Sequence, residues 1–144
     1  MIVKTRGLEV VSYNGSCWAT LQVFLERTTA HVVLGQETKL KGEGRREAES
    51  WAIRNGWKPY IPDCHLSDLK NPTGGVGIFV RKHIGTSMMK NPQQSIASLD
   101  IVQGWAAAVH VDTGIKGGLV VGSMYNDVKE GVGPHGTMRA AEFI

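Results

Sequence analysis

Long apolar runs are missing from this 144-residue chain. No stretch approaches the roughly 20 apolar residues that a bilayer-spanning helix needs, so no membrane segment is expected. The opening residues lack the basic, then apolar, then small-residue pattern of a secretory leader, and an intracellular protein, nuclear or cytoplasmic, is expected. Cysteine is scarce. Cys17 and Cys64 are the two, and they fit neither a metal-ligand spacing nor a CxxC redox pair. Free thiols in a reducing compartment are the expectation, with a disulfide between them left open. Charge is modest, at 20% of residues with a formal net charge of +3 and a pI near 9.0. That excludes the strong basicity of a DNA-coating protein while leaning toward anionic partners. Internal repeats and low-complexity linkers are also missing.

What the chain does have is glycine, 18 residues, gathered at Gly74-Gly75, Gly117-Gly118 and Gly131 to Gly136. Turns this frequent between short apolar runs predict a strand-rich protein. Leu8 to Tyr13 reads as a strand ending at Asn14-Gly15. Ser16 is placed to cap a helix whose apolar positions Trp18, Leu21, Phe24 and Leu25 fall on one face. His31 to Leu34 reads as a buried strand, with Gln36-Glu37-Thr38 at its end. Gly42 to Gly44 read as a break, and Arg45 to Asn55 as a second helix stopped by Gly56. Strand character then dominates: Lys58 to Ile61, Gly75 to Arg81, Ile96 to Val102, Trp105 to Val111 and Leu119 to Tyr125. Thr137 to Ile144 begins another helical pattern. The order is that of an α/β or α+β fold. It predicts a single sheet with one face left bare, and that bare face offers a route to self-association.

Three polar residues end strands: Asn14, Glu37 and Tyr125. Residues at strand ends of layered folds commonly line one cleft. A lone carboxylate with amide and phenol neighbours suits a hard dication such as Mg²⁺, which keeps most of its waters. The plainer alternative is a solvated turn carboxylate, an Asn-Gly turn and a packed tyrosine with a wet hydroxyl.

Ser12-Tyr13-Asn14-Gly15, Val32 through Gln36-Glu37-Thr38-Lys39, Gly56-Trp57 followed by Gly74-Gly75-Val76-Gly77-Ile78-Phe79-Val80-Arg81, and Leu119 through Tyr125 occur in that order. Together they resemble the endonuclease/exonuclease/phosphatase superfamily, nearest its apurinic-endonuclease-like branch and the endonuclease domains of non-LTR retrotransposons. The resemblance implies a four-layered α/β sandwich of the DNase I-like type. Residues 1–144 would be the N-terminal half of that one domain, supplying one sheet, two helices and the start of a third. It implies Mg²⁺ or Mn²⁺ as cofactor and phosphodiester hydrolysis, with nucleic acid, DNA foremost, as partner and no membrane. Glu37 would ligate the metal, Asn14 would join the metal network and the phosphate, and Tyr125 would donate to the scissile phosphate. Gln36 and Lys39 would orient that shell, and Lys39 would also add positive charge near the phosphate.

Departures accompany the match. Asn126-Asp127 replace the small residue and proline that usually follow the tyrosine. The later Asp-x-Asn and Ser-Asp-His segments, which supply acid/base groups, have no counterpart, and His31, His65, His83, His110 and His135 sit in no such context. The chain alone is therefore expected to be inactive or nearly so. A non-catalytic interaction module, a degenerate retroelement relic and a phosphatase for phosphoinositides or other small phosphoesters stand as alternatives. The GxGxxG at Gly131 to Gly136 is discounted as a dinucleotide site, because no second strand or ribose-binding acid follows it. Lys39, Lys41, Arg45 and Arg46 form one basic cluster and Arg81, Lys82 and His83 another. Both read first as solvated faces and second as nucleic-acid contacts.

Overall fold

The computed structural model describes residues 2–5, 7–88, 100–102, 106–112 and 118–124. In chain order the elements are β1 (Ile2–Thr5), β2 (Leu8–Asn14), α1 (Trp18–Arg27), β3 (Val32–Gln36), α2 (Gly42–Arg54), β4 (Trp57–Tyr60), β5 (His65–Leu66), β6 (Pro72–Thr73), β7 (Val76–Arg81), β8 (Thr86–Met88), β9 (Asp100–Val102), β10 (Ala106–Val111) and β11 (Leu119–Met124). The mixed α/β class expected from the sequence is what forms. The helical pattern over Thr137 to Ile144, the GxGxxG segment and Trp105 lie outside the described residues.

Five strands make the first sheet in the order β1-β2-β3-β7-β4. The β2 and β3 strands run parallel, joined by α1, and pair Asn14 with Gln36 at their C-terminal ends. The other pairings in this sheet are antiparallel. Helices α1 and α2 cover one face. Leu21 and Leu25 of α1 and Ala48 and Ala52 of α2 bury themselves against Val11, Val33, Trp57 and Phe79. The spacing of four in each pair puts both side chains on one helix face.

The opposite face is not bare, and here the structure corrects the sequence reading. A second sheet, β11-β10-β8 with β9 also paired to β10, packs against it. Val10, Val32, Val76, Ile78 and Val80 from the first sheet meet Ala107, Val109, Val111 and Val121 from the second. Over the described residues each strand read from the sequence has a counterpart, but these strands belong to two stacked sheets rather than one. The surface expected to drive self-association through an uncovered sheet face is the interior of this sandwich.

Two helix starts also differ from expectation. Ser16 does not cap α1: its φ of 63° is left-handed, Cys17 occupies the cap position, and no side chain caps the helix there. Helix α2 begins at Gly42 rather than Arg45. Asp63 accepts from the Gly42 N–H at 3.4 Å and pairs with Arg45 at 3.2 Å, which fastens the first turn despite its glycines. Gly56, at φ 88°, follows the end of α2 as expected. Among the described residues no helix is long and apolar enough to cross a membrane. Cys17 and Cys64 are both free.

Candidate functional site

The C-terminal ends of β2 and β3 lie side by side because the strands are parallel neighbours. That register carries Asn14 and the residue after Gln36 to one corner. Asn14 Nδ2 donates to Glu37 Oε1 at 3.4 Å, and Asn14 Oδ1 accepts from the Ser16 N–H at 3.0 Å. Two of the residues singled out from the sequence, 23 positions apart, are thus brought together. Asn14 is exposed and Glu37 half-buried.

The backbone that holds them is unusual. Glu37 has φ 59°, Lys39 φ 53° and Ser16 φ 63°. Left-handed conformations in non-glycine residues cost on the order of 1–3 kcal/mol each and gather where surrounding structure over-determines them. Ser16 is held by the Asn14 amide oxygen, and Glu37 and Lys39 are held by Gly74-Gly75. The Gly75 carbonyl accepts from the N–H groups of Glu37 (2.9 Å) and Thr38 (3.4 Å), and the Gly74 carbonyl accepts from Lys39 (2.9 Å). Gly75 itself has φ 90°, and a Cβ there would lie 2.5 Å from Thr38 Oγ1 and 2.9 Å from Cys64 Cβ. The paired glycines let β7 begin tight beneath the 37–39 turn. Thr38, only 1% exposed, has a hydroxyl with no hydrogen-bond partner.

Gln36 performs a task the sequence did not suggest. Its amide donates to Leu34 O (2.9 Å) and to Ser123 Oγ (3.0 Å), and its Oε1 accepts from Ser12 Oγ at 3.4 Å. Ser123 in turn donates to Gly35 O at 2.9 Å. This polar clasp sits between the sheets and fastens β11 to β3 directly below Glu37. Tyr125, two residues beyond Ser123, lies outside the described residues.

Lys39 is exposed at the rim of the corner. Its charge reaches Cys17 at the start of α1. The Cys17 thiol is held below the ordinary thiol range, first by its hydrogen bond with the Thr20 hydroxyl (3.4 Å), then by backbone N–H groups of the opening turn and by Lys39. Burial instead pushes the Cys64 thiol up. Of the basic cluster around the turn, Arg45 is paired with Glu49 and Asp63, and Arg46 with Glu43. Lys39 and Lys41 have no acidic partner among the described residues.

In the second basic cluster Arg81 is structural, whereas Lys82 and His83 are exposed. Arg81 stacks over Trp57 at 3.7 Å and donates to Ala30 O (3.0 Å) and Thr28 O (2.6 Å), closing the end of α1. Burial lowers the affinity of its guanidinium for the proton. His31 accepts at Nδ1 from the Glu9 N–H at 3.0 Å, which makes it a strand connector. Trp18 and Trp51 pack edge to face against the helix-side core.

Sequence reasoning missed Ser12, Ser123 and the clip formed by Gly74-Gly75. The glycine pair was visible as a turn; its grip on the 37–39 turn is a long-range contact without a local signal. Chemically, the corner offers one carboxylate and one amide oxygen beside uncompensated lysines. Among the described residues no three His, Cys, Asp or Glu side chains gather into a closed ligand set. Comparison with family models, curated proteins and solved structures finds no match to this chain.

Proposed function

We propose that the corner built by Asn14, Glu37 and Lys39 binds a divalent cation, Mg²⁺ or Mn²⁺, together with the phosphate of a phosphodiester, within a fold of the four-layered DNase I-like type. The observation that carries this reading is the Asn14–Glu37 pair at the ends of two parallel strands, kept in place by a left-handed turn clipped to Gly74-Gly75. The donor set fits such an ion. A single carboxylate and an amide oxygen leave most coordination positions to water, as Mg²⁺ prefers. Bound there, the ion would polarise a phosphate and offset the charge that develops on it.

The remaining work falls to the chain. Asn14 orients the Glu37 carboxylate and retains a lone pair on its amide oxygen. Lys39 and Lys41 draw the anionic group toward the turn. Gln36 ties β3 to β11 through Ser123, and Tyr125, the residue after Met124 in the sequence, would donate to the phosphate. DNA is the substrate this reading favours, and a small phosphoester is the competitor. Because the sequence has no Asp-x-Asn or Ser-Asp-His segment, turnover by this chain alone is expected to be absent or weak, and binding is the property to measure.

Mn²⁺ binding followed by electron paramagnetic resonance is the test. Wild-type protein should take up one ion, and Glu37→Gln should weaken it at least tenfold, about 1.4 kcal/mol, with no change in melting temperature. Equal affinity in the variant would sink the proposal. Mg²⁺-dependent plasmid nicking that disappears with Glu37→Ala would instead show that the chain is active by itself.

A further inference from the structure

Strands β5 and β6 form a small hairpin that runs directly into Gly74-Gly75. Its tip, residues 67–71, is internally fastened. Ser67 N–H donates to Asn71 O (2.8 Å), Lys70 N–H to Ser67 O (2.8 Å) and Asn71 N–H to Ser67 Oγ (3.2 Å), and Lys70 adopts φ 66°. A tip held this way presents its side chains in a fixed posture. The one it presents most fully is apolar: Leu69 is 84% exposed, more than any other large hydrophobic residue described. Leu66, at 43%, stands beside it on the hairpin arm.

The hairpin shares its base with the candidate corner. Cys64 N–H donates to Leu40 O at 2.9 Å, and Lys39 N–H donates to Gly74 O at 2.9 Å, so the two ends of the hairpin flank the 39–41 segment. Lys39 and Lys41 are exposed on that segment and Lys70 on the tip. None of the three has an acidic partner among the described residues. A small phosphoester would need no apolar projection outside its pocket. A polynucleotide would use both features, with lysines on successive phosphates and an apolar side chain in a groove or between base steps.

We infer that the β5–β6 hairpin is a duplex-DNA contact element, with Leu69 as its apolar probe and Lys39, Lys41 and Lys70 as phosphate contacts. The inference rests on the phosphodiester reading of the neighbouring corner and selects a polymeric substrate for it. The experiment is fluorescence anisotropy with a labelled DNA duplex at several salt concentrations, in EDTA so that no metal contributes. Leu69→Ser, Lys70→Ala and the double change Lys39→Ala/Lys41→Ala are compared with wild type. Leu69→Ser should weaken duplex binding about fivefold and leave the salt slope alone, since it removes a non-ionic contact. The double lysine variant should lower the salt slope by about 2, roughly one per phosphate contact.

Wild-type protein that binds no duplex, or duplex binding untouched by Leu69→Ser, would overturn the hairpin assignment. Mn²⁺ uptake is measured separately, in EDTA-free buffer, on the same variants and on Glu37→Gln, and separates the two ideas. A Glu37-dependent ion with no Leu69 effect leaves the corner reading standing and removes the hairpin. A Leu69 effect with no Glu37-dependent ion supports the hairpin and removes the corner. Inositol phosphate is added as competitor: displacement of DNA at low competitor concentration would overturn the preference for a polymer.

Discussion

Gly75 is the residue on which the corner depends most directly. Its φ of 90° already excludes an ordinary side chain, and the space a Cβ would need is filled by Thr38 Oγ1 at 2.5 Å. Gly75→Ala is expected to cost about 2 kcal/mol or more, combining backbone strain with a displaced 37–39 turn. Guanidinium melts should register the loss, and Mn²⁺ affinity should fall further than stability alone explains, because the carbonyl that receives the Glu37 N–H moves. Glu37 and Asn14 were legible in the sequence as polar residues ending apolar strands. The Gly75 carbonyl that positions Glu37 was not, since a contact across 38 positions leaves no local pattern.

Among the elements, β11 shows how a strand is locked at one point. Ser123 is 1% exposed and satisfies both the Gln36 amide and the Gly35 carbonyl. Ser123→Val keeps the shape but strands both partners, at a cost of about 1–3 kcal/mol. Double-mutant cycles with Gln36→Leu should return coupling, whereas additive losses would show that the clasp contributes nothing as a unit. The elements differ in how visible they were. Helix α1 announced itself by its buried Leu21 and Leu25, and β2 and β3 by short apolar runs before polar ends. Strands β1, β5, β6 and β8 were missed because two to four residues carry little periodicity and pair only when a partner is present. The true start of α2 was hidden by Gly42 and Gly44, whose weak propensity is overridden by Asp63 from outside the helix.

At the scale of the molecule, the second sheet had left a trace. In β7 every residue from Val76 to Val80 is buried, and in β10 so are Ala106 to Val109 and Val111. A strand apolar at every position, rather than at alternate ones, is covered on both faces. Ile78 and Phe79 show the consequence: adjacent in β7, they enter different cores, Ile78 between the sheets and Phe79 beneath the helices. Ile78→Ala and Phe79→Ala should cost about 2–5 and 3–5 kcal/mol respectively. Each should shift the same single unfolding transition, followed by circular dichroism and by tryptophan fluorescence. Two separate transitions would mean that the layers fold independently.

The order of the first sheet has one more effect. Its outer strand β4 carries Lys58 and Pro59 within four residues. Proline has no N–H to offer a sixth strand, while the half-buried Lys58 turns its ammonium back to the Ile84 carbonyl. Among the described residues no sixth strand follows β4, and with Pro59 in it this border is a poor template for one, so the same four residues that complete the sheet guard the chain against growing into fibres along that side.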